Sequence, residues 1–321
     1  MTFVASFLKE DRPRRVPWKR TRTVRRSQAL ARRMGSAMQV DLLKGIRRFK
    51  SRIDPERVYQ AWLTGDYSKI IGSVPWNDMP ADLNKGLQIA GTTFEHALDL
   101  GVASLPPPVR DGFRLDEKNV RIRDFIATRT GAVYSNLSDS SARNIQSWTN
   151  RYFSQALTPN RVAAGIRNSI CLLPAHEDAV ENYRAGLLSG GMSGRRADVM
   201  AGEYADRLLD YRANMIARTE TKLATNKGQL EVWRQGADEG LIDREKVRKV
   251  WLVGGADPCE DCEAMEGARA PIDEPFMMAD GTPVDFPPLD VHPHCQCDMM
   301  LDLGDDSGQD GENTEGDDDA L

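Results

Sequence analysis

The chain has 321 residues, 40% of them apolar and 28% charged, with a net charge of −5, and no run reaches the roughly 18 apolar residues that a membrane-spanning helix needs. No membrane span is therefore expected, and five cysteines are too few for a disulfide-stapled scaffold. The charge is uneven: residues 1–52 carry 16 Lys and Arg against three acids, while residues 301–321 carry nine Asp and Glu and no base.

Met1 to Leu8 put apolar residues ahead of the charges, the reverse of a secretory leader, so no export signal is expected. The basic arm contains Arg12, Arg14, Arg15, Lys19, Arg20, Arg22, Arg25, Arg26, Arg32 and Arg33. Such a run neutralises phosphates and releases their counterions, which gives salt-sensitive, sequence-independent contact with DNA. The same charge also suits an acidic protein surface, the chain's own acidic tail, or an Arg-rich transit peptide.

From Ser27 to Phe49 apolar residues recur every three or four positions, the period of one helical face. Asp54-Pro55 supplies a cap and a first-turn proline for a short helix through Val58 and Trp62, ended by Gly65. Pro80 opens a third helix, with Leu83, Leu87, Ala90, Phe94 and Leu98 on one face, running to Gly101. Pro106 to Pro108 stop it and make the best internal boundary. The helical period returns through Val120, Ile122, Phe125 and Ile126, and again through Ile145, Trp148 and Phe153; Thr158-Pro159 and Leu173-Pro174 mark further starts. After a Gly-rich turn at 190–194, Met200, Tyr204, Leu208, Tyr211 and Met215 give the strongest helical signal, continued by Leu223, Leu230 and Trp233. Val250 to Val253 reads as a strand closed by Gly254-Gly255. No internal repeat is present. The tail from Gly304, acidic and without an aromatic, is expected to be disordered.

Four of the five cysteines fall between Cys259 and Cys297. Cys259-Glu260-Asp261-Cys262 forms a Cys-x-x-Cys knuckle, and His292-Pro293-His294-Cys295-Gln296-Cys297 follows about thirty residues later. Two pairs of soft ligands across a loop suit a structural, tetrahedral zinc. Cys259, Cys262, His292 and Cys295 are the first choice, with Cys297 and then His294 as substitutes. A redox dithiol belongs in a βαβ pattern that this sequence lacks. The loop residues Met265, Ile272, Phe276 and Phe286 can pack around a metal but cannot make a core alone. Cys171 reads as a small buried hydrophobe, and His96 and His176 as surface residues.

Ile216-Ala217-Arg218-Thr219-Glu220-Thr221, then Asn226, Gly228 and Trp233, then Trp251, Asp257, Cys259, Cys262 and Gly267, and finally Pro287-Pro288 with His292-Pro293-x-Cys295-x-Cys297, resemble the phage Mu F-like minor head proteins, the phage head morphogenesis family. The resemblance covers about residues 115–300 and is strongest after Met215. It departs at His294 and Gln296, where the family usually has Asn and Arg. It implies a minor capsid protein of a tailed bacteriophage virion, made in the host cytoplasm and associated with the portal. Such a protein acts in head assembly and in DNA packaging or delivery, with the major capsid or scaffold protein as further partners.

The expected fold is mainly α: an elongated helical region followed by a small zinc-stapled α+β lobe, with a basic arm and an acidic tail. The expected divisions are 1–52 (arm and first helix), 53–110 (unassigned helices), 111–246 (helical part of the head morphogenesis domain), 247–300 (zinc lobe) and 301–321 (tail). Arg218, Thr219, Glu220 and Asp257 read as a structural joint, in which Thr219 caps a helix with Glu220 in its first turn and Arg218 pairs with Asp257. A catalytic Arg-Glu pair, as in the ADP-ribosyltransferases fused to some family members, would need a Ser-x-Ser strand that is missing. No enzyme is therefore expected. The alternatives are a zinc-supported His-Asn-His nuclease and a generic zinc-stapled interaction module.

Overall fold

Helix formation starts where a polar side chain can satisfy the first free backbone donors. Thr21 accepts a hydrogen bond from the Val24 N–H (3.3 Å) and opens α1 (Arg22–Ser51), whose buried residues include Leu30, Met38, Leu42, Ile46 and Phe49. Asp54 accepts from the Glu56 N–H (2.9 Å), and Pro55 begins α2 (Pro55–Leu63). The computed structural model describes residues 21–304 apart from 117–118, 156–158, 256–257 and 290. The expected disorder of the tail from 305 onward therefore lies outside the described residues.

Asp66 caps α3 (Tyr67–Gly72), too short to show a period in the sequence. The third helix expected from Pro80 is α4 (Met79–Ser104). The prolines after it do stop α4, but Pro107 and Pro108 then form the first turn of α5 (Pro107–Gly112). Leu105 and Phe113, on either side of α5, are buried in one core with Phe94 and Trp233. The chain on the two sides of the prolines thus packs together, because the apolar stripes of α1 and α4 are covered by a later helix. The two helical stretches read between Val120 and Phe153 are one helix, α6 (Val120–Gln155). It is followed by α7 (Pro159–Ser169) and α8 (Pro174–Ser189), both starting at the expected prolines. The strongest periodic signal becomes α9 (Gly194–Asp238), 45 residues without a proline.

Helices α1, α4 and α9 pack against one another, and small residues set how closely. A Cβ at Gly45 of α1 would lie 2.3 Å from the Asp82 carbonyl oxygen of α4, and one at Gly86 of α4 would lie 2.8 Å from the Leu42 nitrogen of α1. Across the other face of α4, a Cβ at Gly228 of α9 would come within 2.7 Å of the Ala97 Cβ. These backbones touch where any larger residue would push them apart. From Glu220 to Ala237 α9 is buried on nearly all sides, so its second half forms the centre of the molecule.

The small sheet follows α9. β1 (Arg248–Leu252), α10 (Glu260–Ala264), β2 (Arg269–Pro271), β3 (Phe276–Met277), β4 (Pro283–Val284) and β5 (Asp298–Asp302) occur in that order. β1 is the central strand of an antiparallel β2-β1-β5 sheet, with Trp251 opposite Met299 and Leu252 opposite Asp298; β3 and β4 form a hairpin. Trp251 meets Phe276 edge-on at 5.2 Å, and both belong to the core cluster that holds Phe94, Leu98 and Trp233. The lobe therefore completes the apolar core of α4 and α9 and has no separate core of its own. Among the described residues no helix is long and apolar enough to cross a membrane.

Candidate metal centre

Cys259 is the N-cap of α10, and its Sγ accepts the Cys262 N–H at 3.3 Å. One helical turn thus turns both sulfurs of the knuckle to the same side. His292 and Cys295 are joined by a tight turn whose third residue, His294, sits at φ 67°. The Cys295 N–H reaches the His292 carbonyl oxygen at 3.4 Å, and this turn brings the second pair of donors back toward the first. The imidazole Nδ1 of His292 lies 2.8 Å from the Pro293 carbonyl oxygen. Donation there fixes the tautomer and leaves the Nε2 lone pair free. That Nε2 lies 3.1 Å from Cys259 Sγ and 3.3 Å from Cys262 Sγ.

The five donors form two overlapping triads, Cys259–Cys262–His292 and Cys262–Cys295–Cys297, within each of which the ligand atoms lie within 4.8 Å of one another. Cys262 is common to both. Its Sγ lies 3.7 Å from that of Cys295, close to the edge of about 3.8 Å that a tetrahedron of sulfurs about 2.3 Å from zinc would have. The cluster can hold a metal ion, and its donors, thiolates with one imidazole, suit a soft or borderline transition metal, zinc among them. His294 is not among them. Its ring lies 5.5 Å from that of Tyr211, and its N–H donates to Thr219 Oγ1 at 3.3 Å. The left-handed backbone at this residue turns the side chain toward α9, so the sequence's second substitute ligand is corrected to a packing residue.

The three inner thiols differ in acidity. Hydrogen bonds from Cys262 and Cys295, helped by the Gly254 N–H, pull Cys297 down to about 3. Cys262 is pushed up by donating to Cys295 and Cys297. Cys295 accepts from Cys262, which works downward, but its donation to Cys297 and its burial outweigh this and raise it to about 12. Gly254 does more than end a strand: a Cβ there would lie 1.8 Å from the Gln296 carbonyl oxygen, so only glycine lets β1 pass so close to the ligand loop.

The joint between helices and lobe differs from the one read in the sequence. Thr219 and Glu220 lie in the middle of α9, so Thr219 caps no helix; its hydroxyl receives the His294 N–H instead. Glu220 forms a bidentate pair with Arg129 of α6, at 2.5 and 3.0 Å, and so ties two helices together. Asp257, the partner expected for Arg218, lies outside the described residues. Other residues carry the joint. Asn226 donates to the carbonyl oxygens of Pro287 (2.5 Å) and Cys297 (3.0 Å), which secures both ends of the ligand loop to α9. The Lys222 ammonium meets the carboxylate of Asp298, both nearly fully buried. Gln28 of α1 donates to the other oxygen of Asp298 at 2.8 Å, and Ser27 links Asp298 to Gln229. A Lys in a helical run reads as a surface residue in sequence. The available signal was Asp298, an acid placed directly between a cysteine of the cluster and the apolar run Met299–Leu301.

Of the basic arm, Arg22, Arg25, Arg26, Arg32 and Arg33 stand on the exposed side of α1, while Arg12, Arg14, Arg15, Lys19 and Arg20 lie outside the described residues. Cys171 is fully buried, its thiol pushed up to about 11 by burial. His96 is exposed, but His176 is half-buried, its ring edge-on to Tyr211 at 5.9 Å. No family model, curated protein or solved structure matches the chain.

Proposed function

We propose that the chain is a non-enzymatic assembly protein of a tailed-phage head, seated beside the portal, in which a structural zinc held by Cys259, Cys262, His292 and Cys295 locks a small lobe onto a helical body. One observation carries this reading: the separate stretches that resemble the head morphogenesis family converge on one joint. Asn226 holds the backbone of Pro287 and Cys297, Thr219 receives the His294 N–H, and Gly228 admits α4. The unusual His294 also fits the pattern, because Asn, Asp and His are the residue types enriched in left-handed backbone, so a His can replace the family's Asn there.

The arrangement also supports a structural role for the metal. Five protein donors surround the site, which leaves little room for the open position that catalysis needs. The second nitrogen of His292 is occupied by Pro293, and the Nε2 of His294 is buried without a partner. The first imidazole is thus engaged and the second is shut away from solvent, which weighs against the nuclease. The basic arm and α1 would meet DNA at the portal.

The reading is tested on two levels. The purified protein should contain about one zinc per chain. In particles made with the chain, cryo-electron microscopy should find it next to the portal, and a pull-down with the portal protein should retain it. Absence from assembled heads, or transfer of ADP-ribose or cleavage of DNA by the pure protein, would overturn it.

A further inference from the structure

Beside the metal cluster lies a cleft of about 410 Å³ between α1, α9 and the ligand loop, lined by Gln28, Arg32, Arg218, Lys222, Gly255 and Gln296, with Cys295 at its end. Its charged lining is entirely cationic. Lys222 is committed to Asp298, but among the described residues neither Arg32 nor Arg218 has a carboxylate partner. The guanidiniums come from two different helices, α1 and α9, and face one space. Among the described residues no acid lines the cleft, which favours an anion over a cation as its occupant. Planar guanidinium forks match the paired oxygens of a phosphate, and the amide of Gln296 adds a neutral group to the wall, Gln28 being bonded to Asp298.

Beyond the cleft, α1 carries a further basic residue on the same side. Arg25, Gln28 and Arg32 are spaced three and four residues apart, so they share one face. Arg25 is exposed and stands about 10 Å farther along the helix axis than Arg32. That is about three nucleotide steps of one DNA strand at 3.4 Å each. A free anion would use only the cleft; a polyanion uses the cleft and the row leading to it.

We propose that Arg32 and Arg218 form a phosphodiester seat, in which the backbone of DNA is gripped against the metal-stapled lobe. The inference rests on the DNA contact proposed above and names the folded residues that make it. It gives Arg218 a ligand-binding role, whereas the sequence reading pairs it with Asp257, which lies outside the described residues.

The test is a salt titration of duplex-oligonucleotide binding by the full-length protein. Removing one phosphate-binding charge lowers the log–log salt slope by about 0.9, so Arg32→Gln with Arg218→Gln should lower it by about 1.8. Arg196→Gln, exposed at the far end of α9, removes the same charge and should leave the slope unchanged. Arg218→Lys keeps the charge and guards against a folding artefact: it should retain the slope while weakening affinity, because a single ammonium replaces the fork. An unchanged slope in the double Gln variant, with wild-type binding intact, would overturn the seat and leave the arm as the DNA-binding element. A wild-type protein that fails to bind duplex at low salt would overturn both. Inorganic phosphate that shifts the NMR signals of Arg32 and Arg218, when DNA does not, would assign the cleft to a free anion and overturn the phosphodiester proposal.

Discussion

The helical body and the Cys/His lobe are held together by different physics. The body buries a long apolar seam, Met38, Leu42, Ile46 and Phe49 of α1 against Leu83 and Leu87 of α4 and Leu209, Ala213 and Ala217 of α9. Many side chains of similar size share the load, and each contributes only a few kcal/mol. The lobe has strands of two to five residues, too short to persist alone; beside the apolar contacts of Trp251, Phe276 and Met299 with the body, it depends on a few strong polar groups: the Cys/His cluster, Asn226 and the Lys222–Asp298 pair. Burial spread over many side chains tolerates the loss of one, whereas a staple does not.

The largest effect that would expose this contrast is metal loss. Cys262→Ser, which removes the donor common to both triads, or treatment with a strong chelator, should open the lobe from β1 to β5 at a cost on the order of 10 kcal/mol. The core around Met38 and Leu83 should stay folded. Hydrogen exchange would show fast exchange in the peptides of β1 and β5 and slow exchange in those of α4; a metal-free protein with equal protection in both would erase the distinction.

Next in size is Lys222→Met. It leaves the Asp298 carboxylate buried without its cation, at an expected cost of about 3–5 kcal/mol. Lys222→Met combined with Asp298→Leu should recover most of that, because two apolar residues replace the pair. Urea unfolding of the zinc-loaded protein measures both, and a double variant no better than the single would mean that hydrogen bonding around Asp298, from Gln28 and Ser27, outweighs the ion pair.

Gly45→Ala tests the body instead. The new methyl group would press on the Asp82 carbonyl, and overpacking of that kind costs about 1–3 kcal/mol. The decrease should appear in the thermal midpoint with metal content unchanged; release of metal from this variant would show that the two regions are mechanically coupled.

The smallest effect is a dependence on pH. Burial, and then the Arg212 guanidinium, hold His176 below its ordinary 6.5. The unfolded chain therefore takes up this proton first as pH falls. The body's stability should be fully present above pH 6.5 and decline from there toward the lower folded-state value. His176→Gln should flatten that decline in urea midpoints measured between pH 7.5 and 5.5, and an unaltered profile would place the titration elsewhere.

The same contrast explains what was legible in the sequence. Helices α1, α2 and α4 announce themselves through apolar periods and through caps or first-turn prolines, and the first half of α9 through its apolar period, because each lies half on a core and half in water. The strands β2 to β5 do not, since two or three residues cannot display an alternation. Cys259 and Cys262 were legible because a Cys-x-x-Cys turn leaves little freedom. His294 was not, because spacing counts residues and does not say which way a left-handed one points. Thr219 and Glu220 looked like a helix start because caps favour their residue types, yet α9 runs through them without interruption. Lys222 was missed for the opposite reason: a partner 76 positions away leaves no local trace.

The continuity of α9 also has a mechanical consequence. At about 1.5 Å per residue, its 45 residues make a rod of about 67 Å with no proline to hinge it. About 36 Å separates Gly194 from Arg218 along that axis. A neighbour that clamps the Gly194 end thus fixes the heading of the cleft, about halfway along the rod, without touching it. The helix works as a lever arm, and torque applied at one end is delivered to the lobe.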